Sequence, residues 1–225
     1  MKKLTFVALL SAGLLTSQAH AELLGAGVGA GMWQATPKGD TTLNNATLVD
    51  ANNLKATSNN YFWAYINHPI PVIPNAMIEQ TAFSSDKGSD SLTLDQIDTT
   101  LYWGLPLPML DFNFGLTLKQ FNGEVRNSLQ TEKIDASVPM GYLALHVPIP
   151  ATDFTISADT KMVSYDGSSL SDTRIKARWD LIGAGVNLGV EAGYRTQNVS
   201  IDGLDLDVQT DLTIDGLFAG VTLVF

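Results

Sequence analysis

The residues able to do chemistry in this chain are few, and their spacing says what they can do. Three histidines and no cysteine occur in 225 residues, so thiolate nucleophiles and a disulfide framework are absent. Histidine is the usual proton shuttle. His20 falls in the N-terminal apolar segment, His68 precedes Pro69, and His146 stands two residues before Pro148. Prolines mark chain reversals, so His68 reads as a turn residue and His146 as a wetted strand end. A His68/His146 metal pair lacks the further ligands a closed site needs, and serine with acid alone is no nucleophile-base pair. No catalytic residue, cofactor or metal is expected.

The charges are more informative. Glu79, Asp98, Lys119, Asp159, Lys161, Arg174, Lys176, Arg178, Asp180, Glu191 and Arg195 fall on the polar faces of segments whose other faces are apolar. A period of two is the period of a strand. Charges of both signs gathered inside a narrow space must pair, so these eleven residues are expected to form an ion-pair network that fills and stiffens an interior. The alternative is a small solute path, in which the basic row Arg174, Lys176 and Arg178 would favour anions. The carboxylates Asp40, Asp50, Asp86, Asp90, Asp166, Asp172, Asp202 and Asp205 have no EF-hand spacing and read as solvated acidic loops.

The elements that position these residues are strands throughout. Ala26, Val28, Ala30 and Met32 alternate with Gly25, Gly27, Gly29 and Gly31 up to Trp33, and no Lys-Ser/Thr follows to make a phosphate loop. Residues 35–59 are polar and read as the longest loop, with a short helical turn near Thr47 to Leu54. Further strands are expected at Tyr61–Asn67, Met77–Ser84, about Ile97–Trp103, Phe112–Lys119, Met140–Val147, Phe154–Met162, Arg174–Leu181, Val186–Arg195 and from about Asp207. Proline-rich turns are expected at 68–75, 104–110 and 148–151, and polar loops at 85–90, 122–137, the Asp166-Gly167 hairpin tip and near Asp202-Gly203. Trp33, Tyr61, Trp63, Tyr102, Trp103 and Tyr165 lie near expected strand ends, as an interfacial girdle would.

The two termini point the same way. Lys2 and Lys3 precede the apolar run Leu4–Leu15, and Ala19-His20-Ala21 offers a small-x-small cleavage pattern, so residues 1–21 read as an export signal. Removing it leaves eleven basic against twenty-three acidic residues, a formal −12, which argues against nucleic acid as a partner. No later run approaches the roughly 20 apolar residues of a spanning helix, so a membrane protein of this sequence must cross as a closed barrel. At the other end Leu217, Ala219, Val221, Leu223 and Phe225 alternate to a terminal aromatic residue. Such an end resembles the last strand of bacterial outer-membrane barrels, where it is the assembly machinery's recognition signal.

The expectation is one all-β domain over 22–225, an antiparallel up-and-down transmembrane barrel of about ten strands, or eight if the second and third do not span. Gly29-Ala30-Gly31-Met32-Trp33, His68-Pro69-Ile70-Pro71-Val72-Ile73-Pro74-Asn75, Asp98–Trp103, Phe121-Asn122-Gly123-Glu124, Gly193-Tyr194-Arg195 and Asp215–Phe225 give the chain a resemblance to a family of small, uncharacterised outer-membrane β-barrel proteins of Gram-negative bacteria. That resemblance implies location and fold and transfers no activity. The role expected is structural or surface-binding, in a monomer with both termini periplasmic, with membrane lipid, lipopolysaccharide and the barrel assembly machinery as partners. A small channel is the alternative. A lipid-modifying barrel enzyme and a soluble lipocalin-like binder stand behind it; barrel enzymes carry the working histidine toward the outer rim, where this chain has none.

Overall fold

The structure is a computed structural model that describes residues 25–43, 46–128, 131–183, 185–201 and 208–225. The export signal with Ala19, His20 and Ala21, and the loop acids Asp202 and Asp205, lie outside the described residues. The strands are β1 (Gly25–Leu43), β2 (Ala46–Asp50), β3 (Thr57–Asn67), β4 (Asn75–Lys87), β5 (Asp90–Leu107), β6 (Leu110–Arg126), β7 (Thr131–Pro148), β8 (Phe154–Tyr165), β9 (Ser168–Gly183), β10 (Asn187–Ile201) and β11 (Val208–Val224). β2 is a short return along the end of β1. The other ten form one up-and-down antiparallel wall, closed by β11 pairing with β1. The count is ten and not eight because β3 and β4, the least regular in sequence, pair with both neighbours as the rest do.

Pairing fixes the barrel's size. Stepping from Ala26 to its directly paired residue on each successive strand returns to β1 at Lys38, twelve residues further on. At ordinary strand spacing that stagger tilts the strands by roughly 40° and sets a wall radius of about 10 Å. A cylinder this narrow leaves room inside for side chains.

Both faces of the wall change character part-way along the strands. Near the end that holds the two termini, the outward side is apolar (Met32 is 55% and Leu217 68% exposed) while the lumen side carries the charges. Further along, the pattern inverts. On β5 the outward residues pass from Leu101 and Ile97 to Asp95 and Thr93, and the inward ones from Asp98 and Gln96 to Leu94 and Leu92. The far half thus has the layout of a water-exposed barrel, with Trp33, Phe83, Leu92, Leu94, Ile214 and Phe218 among its packed interior residues. The two faces thus exchange character at the same height along the strands.

That inversion explains where the strands outrun their expected ends. Segment 122–137, read as a loop, is largely strand, with Asn122 paired to Asp135 and Glu124 to Lys133, because Val125 and Ile134 still face inward between polar outward neighbours. Residues 35–59 shrink likewise. β1 continues to Leu43, and the expected helical turn is strand β2 followed by a 3-10 turn at Ala51–Asn53. The turn expected at 104–110 narrows to 108–109 because Pro106 stays in the ladder opposite Asp111. The tip at Asp166-Gly167 is a tight turn with both φ positive, 47° and 79°. Four of the expected girdle aromatics are lumen-facing instead: Trp33, Trp63 and Tyr102 are buried, and Tyr61 packs against the interior cluster.

The charged lumen as candidate functional site

The charged layer lies between the far-end apolar cluster and a small cluster of Tyr102, Tyr142 and Ala144 nearer the termini. Lys161 Nζ contacts Glu79 and lies 2.5 Å from Asp98 Oδ2, which also accepts from Lys119 Nζ at 2.8 Å. Lys119 reaches on to Asp172 Oδ2 at 3.0 Å. Arg195 grips Asp172 through Nε at 2.9 Å and Nη2 at 2.7 Å, and donates from Nη1 to Thr81 Oγ1 at 2.8 Å. Gln197 donates to Asp172 at 2.9 Å and exchanges amide bonds with Gln96. Arg174 joins Asp159, at 2.9 and 2.7 Å, to Glu79. Two-pronged guanidinium pairs of this kind fix direction as well as charge.

Toward the termini the lattice thins. Lys176 donates to Glu191 at 2.8 Å, and Glu191 also accepts from Tyr61 at 2.9 Å and from the Trp63 indole at 2.8 Å. Arg178 and Asp180 pair with each other near the mouth and remain partly exposed. Adding Asp172 to the eleven residues singled out by alternation gives six acids and six bases, so the lattice is formally neutral. The acidic excess of the chain therefore lies outside this lattice. The same balance argues against a strong fixed preference for anions.

Toward the far end the lattice meets the apolar cluster through cations lying over rings, Arg195 over Trp33 at 4.8 Å and Lys119 over Phe121 at 5.7 Å. A cap closes that end: Ala51 and Leu54 bury themselves in the cluster. Asn52 straps the cap down by accepting from Gly39 N at 3.2 Å and donating to Gly39 O at 3.3 Å, and Ser85 donates to Lys55 O at 2.6 Å. Asn52→Ala should raise protease cleavage within the cap several-fold while the unfolding midpoint of the barrel stays put, since it frees a strap and leaves the wall intact.

A cavity of about 10 Å³ among Trp33, Tyr61, Arg174, Lys176, Glu191 and Arg195 holds one water at most. A larger hollow of about 440 Å³ lies on the outer wall between β5, β6 and β7, lined by Asp95, Asn122, Glu124 and Lys133 among others. Among the described residues no group of three or more His, Asp or Glu side chains is placed to hold a metal ion.

Every residue of the expected network faces the lumen, but alternation alone did not pair them. It also missed the hub. Asp172, read as a loop acid, receives Lys119, Arg195 and Gln197. The signal was present, because Asp172 shares the parity of Arg174, Lys176, Arg178 and Asp180 on β9. Gln96, Gln197, Thr81, Tyr61 and Trp63 were missed because neutral polar and aromatic residues carry no charge to flag them.

This geometry defines the class: a closed ten-stranded antiparallel β-barrel whose lumen is crossed by a lattice of paired charges. No family model and no curated protein matches the chain. Among solved structures it is similar to the CymD monoaromatic hydrocarbon channel, at 10% identity over 94% of this chain and 91% of that one, with a TM-score of 0.23. The Ralstonia pickettii toluene transporter TbuX follows at 8% identity, 89% coverage of both chains and a TM-score of 0.22. The P. putida toluene transporter TodX stands at 7% identity, covering 90% of this chain and 89% of that one, with a TM-score of 0.19. Scores this low carry no role over to this chain.

Proposed function

We propose that the chain is an integral barrel of the bacterial outer membrane, working as a structural or surface-binding protein through its outer wall and far-end loops rather than through an axial pore. One observation carries this reading: an outward apolar band encloses a lumen crossed by paired charges, and the pocket among them has room for about one water. On β5 the band runs from Ile97 to Leu107, which at a strand rise of 3.3 Å and the tilt above is about 25 Å, the height of a lipid-facing band. Lipid and lipopolysaccharide are its surroundings. Leu217, Ala219, Val221, Leu223 and Phe225 on β11 are the residues offered to the assembly machinery, and both termini face the periplasm. The polar far-end hairpins then stand outside the cell.

Planar-bilayer recording tests the sealed lumen. The folded protein is expected to give no stable conductance steps in molar salt, and regular steps would favour the second reading, a small solute channel opened when the cap over Ala51 and Leu54 lifts. In that case Arg178→Ala should change the ion preference. Recovery of the folded protein in the aqueous fraction without detergent would sink the membrane assignment itself.

A further inference from the structure

At the terminal-end mouth, below the ion lattice, three residues of different chemistry fall into one row. Asp111 on β6 is directly paired with His146 on β7, and His146 with Ser157 on β8. All three lie on the lumen side by alternation with Lys119, Tyr142 and Asp159 on their own strands. Directly opposed residues hold their Cβ atoms roughly 4.5–5.5 Å apart, so acid, imidazole and hydroxyl are successive neighbours. His146 Nδ1 and Ser157 Oγ are 2.9 Å apart. The row continues on β9 with Lys176, the residue paired with Ser157.

We propose that Ser157, His146 and Asp111 form a nucleophile, its general base and a positioning acid that cleave small carboxylic esters entering from the terminal-end mouth. Ser157 Oγ attacks the acyl carbon while its proton passes to His146 Nδ1. The ester C–O bond then breaks, and the departing alkoxide takes that proton and leaves as an alcohol. Water activated by the same nitrogen hydrolyses the acyl-serine, releasing the acid and restoring the hydroxyl. The charges facing the imidazole are Lys176, Asp159, Asp111 and Arg178. The two anions support the imidazolium that forms, while Lys176 and Arg178 are held by Glu191 and Asp180. Size selection follows from burial. Ser157 is only 4% exposed, so a compact acyl group is the one that reaches it.

The test is covalent labelling of the folded, detergent-solubilised protein with a fluorophosphonate, followed by peptide mass mapping. An adduct on Ser157 is expected, absent in Ser157→Ala and formed at least ~100-fold more slowly in His146→Gln, the scale of general-base assistance. Asp111→Asn should slow labelling several-fold with unchanged heat-dependent gel mobility, and Asp111→Glu should restore the rate, which a merely structural role would not produce. Wild-type protein that is folded by the mobility criterion yet takes no adduct at Ser157 overturns the proposal. So does labelling no faster than in urea-unfolded chain, or His146→Gln reacting at the wild-type rate.

Discussion

Asp172→Ala should cost the folded barrel about 3–5 kcal/mol, the scale for breaking a buried ion pair from one side. The carboxylate is 2% exposed and is the shared acceptor of Lys119, Arg195 and Gln197. Without it, Arg195 loses its carboxylate partner, Lys119 keeps only Asp98 and Gln96, and the neutral lattice acquires a net charge. The loss is read from the urea midpoint of protein folded into lipid vesicles. Removing a cation as well, in Asp172→Asn with Lys119→Met, restores neutrality and should recover at least half of it. Asp215 serves as the control. Its partner Lys38 is 54% exposed on the outer wall, at 2.9 Å, so Asp215→Ala should cost under about 1 kcal/mol. If Asp172→Ala were equally mild, the lattice would be ornament and the lumen wetter than its geometry implies.

The second large effect is expected at Gly29→Ala, a change of one methyl group. A Cβ there would meet the Trp63 indole at 2.3 Å, a distance at which something must move. Trp63 has little freedom to yield. Its nitrogen is bonded to Glu191, its ring stacks on Tyr65 at 5.8 Å, and Lys176 lies over it. The strain passes directly into the charged layer, so the cost should reach or exceed the ~3 kcal/mol upper range for overpacking, seen as a smaller fraction reaching the heat-modifiable folded form. Gly141→Ala is the matched control, since the nearest atom to its added Cβ is 3.6 Å away. It should fold normally. Pairing Gly29→Ala with Trp63→Leu should recover part of the yield by making room, at the cost of the bond to Glu191.

How much of this was legible beforehand depends on how far each feature reaches along the chain. Alternation in Phe112, Phe114, Leu116 and Leu118 marks β6 as a strand and says that Thr117 and Lys119 look the other way, because facing is settled by the residue's immediate neighbours. Segments 122–126 and 131–137 read as loop in the sequence for a related reason. Alternation there has the opposite sense, polar out and apolar in, and an apolar-outside template does not detect it. Asp172 fell to the same error, since its parity was clear while its height in the barrel was not.

Facing is thus what the sequence by itself determined, together with the strand class, the barrel and the charged interior. Height is what the tertiary structure decided. The twelve-residue stagger sets which side chain stands level with which, bringing Glu79 to Lys161, 82 residues away, and Gln96 to Gln197, 101 residues away. It also brings His146 against Ser157 in the β7–β8 register. No local pattern carries that information, because the register of each strand depends on closing the whole cylinder while its paired charges stay together and its apolar band stays level.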